Sequence, residues 1–360
     1  MSSSLKVIGS IATVLITGAA VFSLIELGAA GGSDVVDAAP VDSTTTSPST
    51  TSTSATTTST STTTTVTPRE SLVIHGTGDV NLDPGYIPAL AEHGYDYPWA
   101  ALDGLFEQDD LTVINLECAP SDGGVAEEKE FVFRCPTDAL GPLVPAGIEV
   151  ANLGNNHSGD YGKEALVDGR SRLLDAGVAP VGAGADAAEA GAPALFEISG
   201  WTIAVVGFGG VFPNPAWSAT DERAGMRDGD DIPSMVAAVE AAAEVADFVV
   251  VTIHWGAELD TQPRPDDVER ARAMIDAGAD VIFGHHAHRL QPLHMVGDAA
   301  VFWGLGNFVW PRYSKSGSTT AVGRAVIHPD GRVEACLIPA FIENSGQPVL
   351  TGEPECGAGR

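Results

Sequence analysis

The sequence predicts an α/β domain over residues 71–343 that gathers its polar side chains at one end of its strands. Three observations lead there. Short apolar runs alternate with stretches of helical period. Five of the runs close on a carboxylate, an amide or an imidazole, at the strand end where α/β sheets place their chemistry. One of these closures, Gly284-His285-His286-Ala287-His288, puts three of the chain's nine histidines within four positions, directly after the buried run Val281–Phe283. Imidazole suits transition metals, and a His-x-His pair leaving a strand end lets two rings converge on one point. A solvated, His-rich turn is the plainer alternative, and the buried strand before it weighs against that.

Composition narrows the function classes. The 360 residues hold 18 Lys+Arg against 48 Asp+Glu, a net charge of −30 that disfavours a nucleic acid partner held through a basic face. Lys6 precedes Val7–Ile25, an uncharged run long enough to span a bilayer, so residues 1–30 read as a membrane anchor with the bulk of the chain outside the cell. Small residues at Gly28–Gly32 leave a cleaved signal segment, and hence a secreted protein, as the rival. Residues 31–70 are dominated by Ser and Thr and can bury little apolar area, which makes them a disordered stalk. In an oxidising compartment four cysteines are an even set, and proximity favours Cys118 with Cys135 and Cys336 with Cys356. A free Cys118 thiol near the site is the other option.

The elements follow in order. Ser71–Ile74 is an apolar strand running into Gly78-Asp79, and a helical stretch covers Trp99–Phe106. Leu111–Leu116 is a strand closing on Glu117, and Val150–Leu153 one closing on Asn155-Asn156-His157 with Asp160 close behind. Lys163–Ala176 reads as a helix, followed by Gly-rich turns at Gly182 and Gly184. Strands at Trp201–Phe208 and Phe248–Ile253, the latter closing on His254, alternate with helices at Met235–Ala246 and Arg264–Ala277. Ala300–Trp303 is a further strand, and Val322–His328 with Arg332–Phe341 forms a hairpin turning at Pro329-Asp330-Gly331. Residues 344–360 read as a flexible tail. Two carboxylates, an amide and several imidazoles at strand ends are the inventory of a dinuclear metal site.

Gly78-Asp79-Val80, Asn115-Leu116-Glu117, Asn155-Asn156-His157, His254-Trp255-Gly256-x-Glu258, Gly284-His285-His286-x-His288 and Leu305-Gly306-Asn307-Phe308 occur in this order. In this the chain resembles the CapA-type capsule and poly-gamma-glutamate synthesis proteins, a branch of the calcineurin-like metallophosphoesterase superfamily. The resemblance covers Ser71 to Phe341. It implies a four-layer αββα sandwich of two mixed sheets flanked by helices, with two divalent metal ions (Mn, Fe or Zn) at the strand ends. By motif, Asp79 would bind one metal, Glu117 bridge both, and Asn156 and His254 bind the second, with His286 and His288 serving one each. His157 would be the general acid and Asp160 its orienting partner. Asn81, Glu258 and Asn307 would face the substrate or support the ligands, and His285 would be a spare or, in a shifted register, itself a ligand. The wider superfamily carries His where this chain has Asn81, and Asp where it has Glu117.

The resemblance implies a metal-dependent hydrolase in capsule or polyglutamate synthesis or attachment, acting on a phosphoester substrate or an anionic extracellular polymer. A non-catalytic, polymer-binding assembly factor of a membrane synthase complex is a second reading. A surface protein with a vestigial site is a third.

Overall fold

The nine-residue strand β1 (Leu72–Val80) is buried almost throughout, as expected of a strand covered on both faces, and the larger sheet grows outward from it. The computed structural model describes residues 68–213 and 215–357, so the anchor and nearly all of the stalk expected before residue 68 lie outside the described residues. Among the described residues no helix is long and apolar enough to cross a membrane.

After β1 come α1 (Pro88–His93), β2 (Leu111–Leu116), β3 (Val150–Asn152), α2 (Lys163–Asp175), β4 (Ala179–Val181), β5 (Ala183–Gly184) and α3 (Ala187–Gly191). The middle of the chain adds β6 (Ala194–Ile198), β7 (Trp201–Gly209), β8 (Gly225–Met226), α4 (Ile232–Ala243), β9 (Phe248–His254), α5 (Pro265–Asp276) and β10 (Val281–His285). The last part is β11 (Leu293–Val296), β12 (Ala299–Phe302), β13 (Asn307–Val309), α6 (Lys315–Ser318), β14 (Thr319–Ile327), β15 (Val333–Asn344), β16 (Gln347–Leu350) and β17 (Glu355–Cys356).

Two mixed sheets result. One runs β16-β15-β14-β1-β2-β3-β4, with β13 also on β1 and β17 on β15; the other runs β11-β12-β10-β9-β7-β6. Strands β1 to β4 run parallel to one another, as do β7, β9, β10 and β12, so each set delivers its C-terminal ends to one edge. Period-two alternation sorts the side chains into layers. Leu72, Ile74, Leu111 and Val113 meet Ile203, Val205, Val250 and Phe283 between the sheets. The alternate residues Ala204, Val206, Val249, Val251 and Ile282 turn outward against Met235, Val239, Ala271 and Met274 of α4 and α5. On the far face of the other sheet, Ile114 and Leu116 pack with Leu90 of α1 and Leu166 and Leu173 of α2. The order is helices, sheet, sheet, helices: the predicted four-layer sandwich.

One close approach matters for the site. Beside β13, β1 passes the chain so tightly that a Cβ on Gly78 would lie 2.2 Å from the Gly306 carbonyl oxygen. Glycine there lets Asp79 pair with Asn307 across the ladder.

Three expectations are corrected. Trp99–Phe106 is a string of turns instead of a helix: the Trp99, Leu102 and Leu105 amides donate to carbonyls three residues back. Spaced apolar anchors Trp99, Leu102 and Phe106 give the segment a helical period without a sustained i−4 ladder. The region of Gly182 and Gly184 is more than a turn, since β5 pairs with β8. The tail is not loose either. Strands β16 and β17 both pair with β15, and Cys356 is bonded to Cys336. A disulfide and cross-strand pairs hold a segment whose composition alone could not. Cys118 is bonded to Cys135, which removes the free-thiol option.

Candidate metal centre

The strand ends converge as their spacing predicts. Asp79, Glu117 and His254 are fully buried, His157 and His286 almost so. Two clusters form and share Glu117: Glu117 with His254 and His286, and Glu117 with Asp79 and His288, the prospective ligand atoms of each lying within 4.8 Å of one another. In the first, His254 Nε2 is 3.6 Å from Glu117 Oε1 and 3.1 Å from His286 Nδ1. Asn156 Oδ1 joins it at 2.7 Å from His254 Nε2. In the second, His288 Nδ1 is 3.0 Å from Asp79 Oδ2 and its Nε2 is 3.9 Å from Glu117 Oε1.

The backbone takes an uncommon form to achieve this. His286 and His288 both have positive φ, 84° and 51°, a region that non-glycine residues seldom enter and that clusters at functional sites. His286 turns toward His254, and His288 toward Asp79. His285 takes the other direction: its Nε2 is 3.1 Å from Thr252 Oγ1 and its Nδ1 3.7 Å from Asp79 Oδ1, so it packs behind the carboxylate.

Both Glu117 oxygens are buried with no hydrogen-bond partner. Orphaned buried carboxylate oxygens are costly, and a bridging cation is the group whose chemistry would satisfy them. Burial, and then the neighbouring charge of Asp79, push the Glu117 carboxyl well above the carboxylate range. Burial opposes the charge of Asp79 as well, but contacts with His288, His285 and Asn115 together bring it below the ordinary value. Burial drives His254 far down and His286 to about 4, leaving both imidazoles with a lone pair to give. His288 is the exception. Burial works against its proton, yet the charges of Glu117 and Asp79 lift it to about 9, so a proton there supplies positive charge between the carboxylates. The donor set fits divalent cation binding.

Three residues beyond the predicted set order the site. Asn115 Nδ2 donates to Asp79 Oδ1 at 2.9 Å and lies 3.1 Å from His254 Nδ1; Asn115 Oδ1 accepts from Asn152 and Asn155. Asn155 Oδ1 in turn accepts from the His157 and Ser158 amides, which fixes the turn bearing Asn156. His157 Nδ1 lies 2.8 Å from Asp160 Oδ2, the expected orienting contact, and its Nε2 is 4.0 Å from Glu117 Oε1. Burial pushes His157 below the usual histidine value. Lys129, from the loop between Cys118 and Cys135, reaches this pair. No periodicity or motif in the sequence points to it.

The remaining predicted residues divide. Asn307 Nδ2 donates to the Gly317 carbonyl, and the side chain lines a cleft of about 210 Å³ beside His157 and His288. Glu258 stands at the exposed mouth of that cleft. Asn81 Oδ1 accepts from the Asp83 amide and caps a turn, while its buried Nδ2 has no hydrogen-bond partner. Tyr86, Phe133 and Trp310 wall the cleft, Phe133 lying 4.4 Å from the His157 ring and Trp310 4.7 Å from that of His288.

The profile of the bacterial capsule synthesis protein family PGA_cap matches residues 73–312, which include every predicted site residue. The chain belongs to this family. It is 27% identical over 289 residues to the capsule biosynthesis protein CapA of Bacillus anthracis, covering 78% of this chain and 70% of that one. It is 33% identical over 184 residues to the PGA biosynthesis protein CapA of Bacillus subtilis, covering 51% of this chain and 48% of the relative. Among solved structures, the NAD nucleotidase of Haemophilus influenzae is 13% identical, with a TM-score of 0.44 over 79% of this chain and 60% of that one, a likeness that carries no functional weight. As a PGA_cap member, the chain gathers its own strand-end residues around one buried carboxylate.

Proposed function

We propose that this PGA_cap protein is an exported, dinuclear-metal-dependent hydrolase of capsule or polyglutamate assembly. One observation carries the reading: Glu117 is buried with both oxygens unpartnered, between two groups of prospective ligands. Asp79, His288 and Glu117 would hold one cation, and Glu117, Asn156, His254 and His286 the other. Bound there, the cations supply Lewis acidity to the scissile group and make a nearby water acidic. The chain's own groups do the rest. Tyr86, Phe133 and Trp310 give the cleft aromatic walls. Asp160 holds His157 at Nδ1, so that Nε2 faces the site. The depressed pKa of His157 makes its protonated form a stronger acid, suited to giving that proton to a departing oxygen or nitrogen.

Two buried disulfide partners, Cys118 and Cys135, and the second pair Cys336–Cys356 support an oxidising, extracytoplasmic setting with Val7–Ile25 as the anchor. The relatives' names support an anionic polymer context and, through it, a membrane synthase partner.

The test is metal content and hydrolysis of a generic phosphodiester by the full chain. The reading expects about two divalent ions per chain and turnover that chelation abolishes. Metal without turnover on phosphodiester or amide substrates would favour the polymer-binding assembly factor. No metal after reconstitution would overturn both.

A further inference from the structure

The loop closed by Cys118–Cys135 is laid across the Asn156–Asp160 turn at several points. The Val125 and Glu127 amides donate to the carbonyls of Tyr161 and Asp160, and the Phe133 amide donates to Asp160 Oδ2 at 2.7 Å. From this loop the Lys129 ammonium donates to Asp160 Oδ1 at 2.6 Å and to the Asn156 carbonyl at 2.7 Å, and lies 3.2 Å from His157 Nδ1. Trp217 covers it, with its ring centroid 5.4 Å away. Asp160 has no exposed surface, so His157 Nδ1, the Phe133 amide and Lys129 together saturate its two oxygens.

A lysine that merely neutralised a buried carboxylate would need only the Asp160 contact. Lys129 also holds the main chain of Asn156, whose side chain meets His254 in the metal cluster. One cation thus ties the residue facing the metals to the pair that handles the proton, and fixes the distance between them. An ammonium is suited to this, because its three donors can serve separate acceptors at once.

We propose that Lys129 is a positioning residue of this site: it locks the Asn156 backbone and the His157–Asp160 pair into one rigid unit, so that the His157 imidazole is held toward Glu117. The kinetic part rests on the hydrolase reading; the structural part does not.

The experiment compares the full chain with Lys129→Met and Lys129→Arg by three readouts. The first is the hydrogen-bonded Nδ1 proton of His157 in the NMR spectrum, assigned by its absence in His157→Gln. The second is Mn²⁺ binding, and the third is kcat and KM for a phosphodiester. The expected result is that Lys129→Met loses the proton signal to solvent exchange and lowers kcat by about 10²-fold at similar KM. It should bind Mn²⁺ with the same stoichiometry, and Lys129→Arg should restore signal and rate. Should Lys129→Met not fold, Lys129→Gln is read in the same way. A retained His157 signal in either neutral variant overturns the proposal even where the wild type hydrolyses substrate. A lost signal in a protein that binds Mn²⁺ but never turns over upholds the positioning role while the hydrolase reading falls.

Discussion

The two ends of strand β2 make opposite use of buried carboxylates. Just before it, Asp109 Oδ2 meets His75 Nδ1 and Thr112 Oγ1, each at 2.6 Å, and Asp110 accepts from the Val73 amide. Glu149 closes the same edge by accepting from the Thr112 amide. Just after the strand, Glu117 has no partner for either oxygen. Asp109, its side chain 2% exposed, is answered within the protein by His75 and Thr112 and ties strands together; Glu117 has no such partner. Buried acid by itself therefore says little about function. What separates structural from chemical carboxylates is whether the fold leaves them unsatisfied.

The largest expected effect tests the chemical end alone. Replacing Asp79 and His286 together by Ala should take metal content from about two ions per chain to none and turnover to background, by elemental analysis and phosphodiester assay. Next comes the structural end. Asp109→Ala should lower folding stability by about 3 kcal/mol in denaturant titration, because it leaves a buried partner alone, with Mn²⁺ affinity unchanged. A matching loss of metal affinity would dissolve the distinction between the ends.

A smaller effect has the opposite sign. Glu117→Gln should raise the stability of the metal-free protein by about 1–3 kcal/mol while abolishing the thermal shift on adding Mn²⁺. Glu117 is raised well above its ordinary value in the fold, so the folded state holds the proton longer than the unfolded chain. Its contribution to metal-free stability is accordingly greatest in acid and is lost as pH rises from about 4.5 toward the folded value. His288, lifted to about 9 by the charges around it, should release about one proton per chain when Mn²⁺ binds at neutral pH, measured by calorimetry in buffers of different ionisation enthalpy.

The smallest effect returns to the structural edge. Burial pushes Glu149 to about 7, so its destabilisation develops between about pH 4.5 and 7. Glu149→Gln should then gain about 1 kcal/mol above pH 7, a value reduced for its partial exposure, and nothing in acid. An equal gain at low pH would mean the effect is not one of charge.

Much of this was legible in the chain. Short continuous apolar runs marked the central strands because burial on both faces leaves a local signature, and the residue ending each run was then a strand-end residue wherever that strand lay in its sheet. The pairing of Cys118 with Cys135 and Cys336 with Cys356 followed from proximity. The turns at Trp99–Phe106 escaped because anchors at helical spacing do not reveal whether the i−4 ladder closes. The ordered tail escaped because its stability comes from β15 and a disulfide instead of its own apolar content.

By itself the sequence determined which side chains stand at the strand ends, and so the Asp79, Glu117, Asn156, His254, His286 and His288 set. Only the tertiary structure decided which of them share Glu117, that His285 turns away toward Thr252 while His286 turns in, that Asn81 caps a turn, and that Lys129 arrives from a disulfide-closed loop. The reason is physical. Strand periodicity fixes position along a chain, whereas partnership depends on the stagger of two sheets and on backbone angles at single residues, which no local pattern encodes.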